Sequence, residues 1–125
     1  MTANLSNQFE SRLCYDLTAT IVIATDDDLS AAVDLNGTQL VGIIVPANFD
    51  GTGITLNASD TIDGTFVAVQ TDRTSATPYP ITTTASRYVP IDNLQITEGL
   101  RFIKIGTASA QTTTNTVFKL VTKAR

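Results

Sequence analysis

A chain of 125 residues is long enough for one hydrophobic core and too short for two domains of ordinary size. Its formal net charge of −4 disfavours nucleic-acid binding, because the phosphate backbone attracts basic surfaces. No apolar run reaches the length of a membrane-spanning helix, and the N-terminus lacks the basic and apolar regions of a signal peptide. We therefore expect a protein that folds in the cytoplasm and binds neither membrane nor nucleic acid.

The composition predicts an all-β fold. Threonine supplies about one residue in six, whereas charged residues make up only 16% of the chain. Threonine is β-branched, so it favours strands over helices. Cys14 is the single cysteine, which excludes an internal disulfide, and the chain has no histidine to activate its thiol.

Apolar residues recur with a period of two along the first half of the chain, which predicts strands. The runs are LTATIVIA (17–24), SAAVDL (30–35), QLVGIIVP (39–46) and GITLNAS (53–59). The third run is apolar on both faces, which is typical of a central strand. Asn36-Gly37 precedes it and predicts a hairpin turn, because both residue types tolerate a positive φ.

The second half continues the same pattern. TFVAVQTD (65–72) is apolar from Phe66 to Val69 and predicts another central strand, entered through a bend at Asp63-Gly64 whose glycine is needed for its φ. PITTT (80–84) and RYVPI (87–91) predict short strands. LRFIKIG (100–106) alternates, and NTVFKLVTKAR (115–125) places Phe118 and Leu120 opposite Lys119 and Lys123. No stretch of twelve residues indicates an amphipathic helix.

About eight short strands separated by turn signals predict a single antiparallel β-sandwich or jelly roll over residues 17–125. Residues 1–16 are polar and aperiodic. They predict an N-terminal arm that is extended or disordered until it assembles against a neighbouring molecule.

Two acidic stretches raise the question of a metal or catalytic site. Asp26, Asp27 and Asp28 are candidate calcium ligands, but consecutive residues of an extended segment point to opposite sides, which favours a solvated turn. Asp60 and Asp63 do not have the alternate spacing of a calcium loop, and nothing indicates that either carboxylate pairs with the other or with Asp72 as in a glycosidase. We expect no catalytic residue, no metal and no cofactor.

Exposed aromatic and basic residues are candidates for protein–protein contacts, because tyrosine, phenylalanine and arginine are enriched at interfaces. Some lie in the arm, some in the segment around RYVPI, and the lysines lie on the C-terminal strand. The candidates are Phe9, Arg12, Tyr15, Tyr79, Arg87, Tyr88, Lys119 and Lys123.

The chain resembles a family of small structural proteins encoded in tailed-bacteriophage genomes, often near the capsid genes. The pattern of that family is LSAAVDL-G-x-x-LVGI-x-x-P, then LTFQ-S-DG-x-x-x, then Y-x-V-x-AA-x-RYI-x-LDP, then G-x-RFLK-x-RSGT. The matching residues run in the same order over about residues 29–107, at Leu29–Leu35, Leu40–Ile43, Pro46, Ile54–Ser59, Arg87–Val89, Pro90–Asp92, Arg101–Lys104 and Gly106-Thr107.

At the Asp60–Gly64 corner the chain departs from the family, whose members read S-x-DGGTT followed by an aromatic. Here SDTIDGTF keeps one glycine and the aromatic Phe66. The resemblance implies no active site. It implies a head decoration or cement protein on the surface of the virion, which binds the major capsid protein and copies of itself, and a homotrimer would suit the three-fold positions of a capsid lattice.

A different function class stays open. A receptor- or carbohydrate-binding sandwich on a head fibre, neck or tail would need an exposed aromatic groove, for which Tyr79 and Tyr88 with Asp72 and Arg73 are candidates. A hydrolase that uses Asp60 and Asp63 is the third interpretation, and neither acid has a recognisable partner.

Overall fold

The computed structural model describes residues 17–112 and 114–124 and shows an antiparallel all-β architecture. The described residues form eleven strands and one short helix, where about eight strands were predicted, and four of these strands have only two or three residues. The elements are β1 (Leu17–Ile23), β2 (Val33–Asp34), β3 (Thr38–Val45), β4 (Gly53–Ser59), β5 (Val67–Ala68), β6 (Gln70–Asp72), β7 (Ser75–Pro78), β8 (Ile81–Thr82), β9 (Arg87–Pro90), α1 (Leu94–Thr97), β10 (Phe102–Thr107) and β11 (Thr116–Ala124).

Two sheets enclose the core, which confirms the prediction of a sandwich-like all-β fold. The first sheet has the strand order β1-β11-β3-β9, and the second has the order β2-β10-β4-β5, with β8 also paired to β4. Strands β6 and β7 form a separate hairpin. The buried side chains of both sheets form one cluster: Ile21, Ile23, Leu35, Leu40, Ile43, Val45, Phe49, Ile54, Leu56, Tyr79, Ile81, Ile91, Ile103, Ile105, Phe118 and Leu120.

Strand β3 is central, as predicted, but its apolar run has a different explanation. Leu40 pairs with Thr122 and Gly42 pairs with Val121, so Val41 is an extra residue in β3. Such a bulge shifts the alternation by one position. Leu40 and Ile43 are therefore both buried although they are three residues apart, and Ile44 points outward.

The hairpin prediction at Asn36-Gly37 is wrong, although the turn itself forms. Both residues have a positive φ, of 48° and 80°, and the Thr38 amide donates to the Leu35 carbonyl at 3.1 Å. However, β2 pairs with β10 in the second sheet and β3 pairs with β11 and β9 in the first. The tight turn thus carries the chain from one sheet to the other, which local turn chemistry does not distinguish from a hairpin.

Replacing Gly37 by alanine should lower the free energy of unfolding by about 1 kcal/mol, because an L-residue is strained at a φ of 80°. No neighbouring atom lies within 4 Å of the added Cβ, so steric clash contributes nothing. Gly99→Ala is the matched control, since its Cβ also meets open space but its φ is not positive. Equal stabilities of the two variants in urea unfolding would contradict the strain argument.

The prediction of a central strand at residues 65–72 is also wrong. Strand β5 lies at the edge of the second sheet and contributes only two pairs, Asn57 with Ala68 and Ala58 with Val67. Val67 is 62% exposed. The chain leaves the sheet after Val69, whose amide donates to the Leu56 carbonyl, and then forms the β6–β7 hairpin.

Helix α1 was not anticipated from the sequence. Asn93 caps it by accepting from the Gln95 amide at 3.2 Å, and the helix is held to β3 by a buried hydrogen bond from the Thr97 hydroxyl to the Leu40 carbonyl at 2.8 Å. Four residues are too few for a hydrophobic periodicity to be visible in the sequence.

Candidate interaction surface

The acidic turn at Asp26–Asp28 is held by backbone bonds, and its carboxylates face solvent. The Asp27 amide donates to the Ala24 carbonyl at 3.0 Å, and the Asp27 and Asp28 carbonyls accept from the amides of Gln111 and Thr107. Asp26 has a φ of 71°, and all three residues are exposed. Among the described residues, no group of three acidic or cysteine side chains could hold a metal ion, so the calcium candidates are not brought together.

The Asp60–Gly64 corner is a bend between β4 and β5, and both acids are exposed. Ser59 Oγ accepts from the Thr61 amide at 3.2 Å, and the Gly64 amide donates to the Thr61 carbonyl. Gly64 does not have a positive φ, so the expectation that its φ requires glycine is wrong. A Cβ there would clash with Thr61 Oγ1 and lie 2.7 Å from Ser59 Oγ. Space therefore favours glycine here, because the Thr61 and Ser59 hydroxyls would have to move to accept a Cβ.

The two tyrosines proposed for a sugar-binding groove lie in different environments. Tyr79 belongs to the core and is only 9% exposed, so it is not available as a surface ring. Tyr88 is 55% exposed on the edge strand β9. The sequence hypothesis of a joint Tyr79–Tyr88 platform is therefore corrected.

Arg87 and Tyr88 do not act as one pair, because adjacent residues of a strand point to opposite faces. Arg87 pairs with Val45 of β3, and Tyr88 pairs with Ile44. Arg87 is exposed at the border of a shallow groove of about 420 Å³, which is lined by Thr52, Thr82, Thr83, Thr84, Arg87, Tyr88 and Val89.

The two lysines of β11 lie in different surroundings. Lys119 is exposed in the middle of β11, opposite Thr20 on one side and Ile44 on the other. Lys123 is half-buried near the end of the strand, opposite Gln39.

Phe9, Arg12 and Tyr15 of the proposed arm, together with Cys14, lie outside the described residues, so those hypotheses stay predictions.

Three rows of side chains form the middle of the outward side of the first sheet, which we call the apolar outer face, and Lys123 with Gln39 forms the next row beyond it. The rows follow from the strand registers, in which alternate residues of each strand share a face. One row is Val22–Val117, the next is Thr20–Lys119–Ile44–Tyr88, and the third is Val121–Gly42–Pro90. Within these rows Lys119 is the one charged side chain.

Large apolar side chains on this face are exposed to solvent. Val117 is 40% exposed and Ile44 is 38% exposed, beside Tyr88 at 55%. Pro90 is exposed as well, and Val22 and Val121 are half-buried. Contiguous apolar surface of this kind is typical of interaction sites on folded domains.

Gly42 fixes the position of the Tyr88 ring on the apolar outer face. A Cβ at Gly42 would lie 2.6 Å from Cζ of Tyr88 and would clash with its hydroxyl oxygen. The ring therefore extends across β3 over the missing side chain. A larger residue at this position would force the exposed Tyr88 ring away from the sheet.

The outward side of the second sheet is polar by comparison. Its cross-strand rows contain Asp34, Phe102 and Ser59 in one line and Lys104, Asn57 and Ala68 in the next. Arg101 Nε donates to Asp34 Oδ1 at 3.0 Å, and its Nη2 donates to Oδ2 at 3.2 Å. This hydrogen bonding lowers the pKa of the Asp34 carboxyl below its ordinary value. The Lys104 ammonium lies 4.7 Å from the Phe66 ring centroid. The two outer faces of the sandwich thus differ in chemistry.

Sequence reasoning missed Val22, Ile44 and Val117 as members of a surface. The signal was present in β11, where Val117 and Val121 alternate with the buried Phe118 and Leu120. A strand that is apolar on both sides is covered on both sides, either within the fold or by a partner.

Comparison of the chain with protein-family models, with curated proteins and with solved structures finds no match. Over the described ranges, the structure contains no helix that is long and apolar enough to cross a membrane. The resemblance to bacteriophage structural proteins therefore stays a prediction.

Proposed function

We propose that this chain is a structural protein of a tailed-bacteriophage particle, which binds the outside of the major capsid shell and stabilises it without catalysing a reaction. The observation that carries the proposal is the apolar outer face, with Ile44, Tyr88 and Val117 exposed around Lys119. The resemblance to phage structural proteins adds support from a different source. The partners under this proposal are the shell protein and further copies of the chain, on the surface of the virion.

The dimensions of the face suit binding to a repetitive surface. The four strands of the first sheet average seven residues, and at about 4.8 Å between strands and 3.4 Å per residue their whole outward side covers roughly 450 Å². Docking of one copy would bury about 900 Å² on both partners together, which is near the lower limit of a specific interface. Such a contact is weak for one copy, and it becomes strong when copies are linked or act together.

Lys119 indicates the chemistry of the surface that fits. Lys119 lies between Thr20 and Ile44 in its cross-strand row, and a charge buried by a partner without a counter-charge is strongly unfavourable. The complementary shell surface is therefore apolar and offers a carboxylate opposite Lys119.

Binding to assembled capsids tests the proposal. Capsids of the parent phage that are assembled without this chain should bind the purified protein in co-sedimentation, and binding should raise their melting temperature. Ile44→Glu should weaken this binding by about tenfold or more, because the new carboxylate lies directly opposite Lys119, pairs with its ammonium in place of the shell carboxylate and removes apolar contact surface. Ile44 is 38% exposed in the free protein, so the variant should still fold.

Val67→Glu is the matched control, because it places the same charge at another exposed apolar residue, on the edge of the second sheet. We expect it to bind capsids like the wild type. Capsids that are equally robust with and without the chain, or two variants that bind equally well, would contradict the proposal.

A further inference from the structure

The turn that crosses between the two sheets, Asn36-Gly37, also contains a chemically labile pair of groups. Asn36 is the one asparagine of the chain that is followed by glycine, and both residues are exposed. Asparagine is labile because the amide nitrogen of the next residue can attack its side-chain carbonyl carbon. Glycine permits this attack best, since it has no Cβ to obstruct the nitrogen. The dipeptide is therefore a candidate modification site as well as a turn.

The hydrogen bonds of the turn leave the two reacting groups free. The Thr38 amide donates to the Leu35 carbonyl at 3.1 Å, and the Asn36 backbone amide donates to Asp34 Oδ1 at 2.8 Å. In the part of the chain that the structure describes, neither the Asn36 carboxamide nor the Gly37 amide has a hydrogen-bond partner. The attacking nitrogen and the attacked carbon thus react without the loss of a hydrogen bond that holds the turn.

The other described asparagines do not combine these conditions. Asn48, Asn57, Asn93 and Asn115 all precede a residue that has a side chain. Asn48 Nδ2 donates to Thr114 Oγ1 at 2.8 Å, and Oδ1 of Asn93 and of Asn115 each accepts from a backbone amide. Asn57 is half-buried within β4. These four residues provide internal standards for the reactivity of Asn36.

We propose that Asn36 deamidates spontaneously in the folded protein, with water as the only co-reactant. The Gly37 amide nitrogen forms a bond to Cγ of Asn36, its proton passes to the departing side-chain nitrogen, and ammonia leaves. The product is a five-membered succinimide ring that includes the main chain of the turn. Water then opens this ring at one of its two carbonyl carbons, which gives either aspartate or isoaspartate at position 36.

The isoaspartate product changes the turn most, because its main chain runs through the former side chain and gains one CH₂ group. That group lies inside the ring closed by the Thr38 amide and the Leu35 carbonyl, so their hydrogen bond cannot keep its present geometry. Both products also add a negative charge two residues from Asp34, whose carboxylate already accepts from Arg101. Deamidation therefore loosens the crossing between the two sheets.

Peptide mass spectrometry of the full chain, incubated at neutral pH and body temperature, tests the reaction. The peptide that contains Asn36 should gain the mass that replacement of NH₂ by OH adds. Electron-transfer fragmentation should locate part of the product as isoaspartate at position 36. Asn93 and Asn115 should stay unchanged over the same period. No conversion at Asn36, or equal conversion at all three asparagines, would overturn the proposal.

Two glycine variants test the route of the reaction. Gly37→Ala should slow the conversion of Asn36 several-fold, because the added Cβ obstructs the attack of the amide nitrogen. Gly99→Ala is the matched control and should leave the rate unchanged, since it adds a methyl group far from Asn36 in the sequence. Circular dichroism should show that both variants keep their sheets. Undiminished conversion in Gly37→Ala would contradict attack by the Gly37 nitrogen.

Incubation in urea gives the rate for the unfolded chain under otherwise equal conditions. Conversion of Asn36 in the folded protein as well as in urea supports the proposal, because the reacting groups are then accessible within the turn. Conversion only in urea would mean that the folded turn protects Asn36, and it would overturn the proposal.

Thermal unfolding of the aged protein tests the effect on the fold. Anion exchange separates deamidated from intact chains, because deamidation adds a negative charge. The isoaspartate fraction should melt several degrees below the intact protein. Asn36→Asp should melt closer to the wild type, since it adds the charge and leaves the main chain unchanged. An isoaspartate fraction that melts like Asn36→Asp would contradict the loosening of the turn. None of these measurements involves capsids, so this proposal and the proposed function can fail separately.

Discussion

Replacing Gln111 by leucine is expected to lower the free energy of unfolding by about 3 kcal/mol. Gln111 is fully buried, and its amide joins two loops at one end of the sandwich. Its Nε2 donates to the Asp50 carbonyl at 2.7 Å, and its Oε1 accepts from the Asp50 amide at 2.8 Å. The Thr116 hydroxyl also donates to Oε1, at 3.3 Å. Leucine fills the space but leaves the backbone groups of Asp50 without these partners.

Urea unfolding at neutral pH, followed by circular dichroism, measures the effect of Gln111→Leu. Thr112→Val is the matched control, because the Thr112 hydroxyl donates to the same residue, at Asp50 Oδ2, but at an exposed position. Loss of the Thr112 hydroxyl should change the free energy of unfolding by less than about 0.5 kcal/mol. If Gln111→Leu were as stable as Thr112→Val, the hydrogen bonds between Gln111 and Asp50 would not contribute to the stability of the fold.

Truncation of Phe118 to alanine should cost about 3–5 kcal/mol, the largest effect we expect from a single core residue. Phe118 is fully buried on β11, opposite Ile21 of β1. Its ring meets the Phe49 ring edge-on, with the centroids 5.6 Å apart and the planes at 67°. The variant loses this aromatic contact and leaves a cavity between the sheets.

Val117→Ala is the control for Phe118→Ala, because it truncates the next residue of the same strand on the opposite face. Val117 is 40% exposed in the free protein, so the change should cost less than about 1 kcal/mol in thermal or urea unfolding. Similar losses for the two variants would mean that the two faces of β11 do not differ as the structure shows. Val117→Ala should instead weaken the docking of the apolar outer face.

The acidic stretches show how local patterns can be judged from sequence alone. The absence of calcium-loop spacing around Asp60 and Asp63 indicated a bend, and the structure has a bend there. The prediction for Gly64 was wrong, because the reason for a glycine there depends on the positions of the Ser59 and Thr61 side chains. Crowding of that kind arises only when the loop closes on itself.

The candidate surface was only partly predictable. Tyr88 and Lys119 were identified as candidates by residue type, and both lie in the same row of the apolar outer face. Ile44 and Val117 were missed, because an apolar residue in a strand is usually assigned to the core. Tyr79 was assigned to the surface and lies in the core. Residue type indicates what a side chain can do, and the packing of the sheets decides which side chains reach solvent.

The sequence by itself determined the class of the fold and the alternation of β1, β4 and β11, whereas the bulge in β3 was not predicted. Period-two patterns and threonine content are local properties, and they placed Ile21, Ile54, Leu56, Phe118 and Leu120 correctly on strands. Only the tertiary structure decided which strands are neighbours. The Asn36-Gly37 turn crosses between sheets, and β5 lies at an edge, because pairing depends on contacts between residues far apart in the chain. The same long-range pairing brings β1, β11, β3 and β9 together and exposes the apolar outer face.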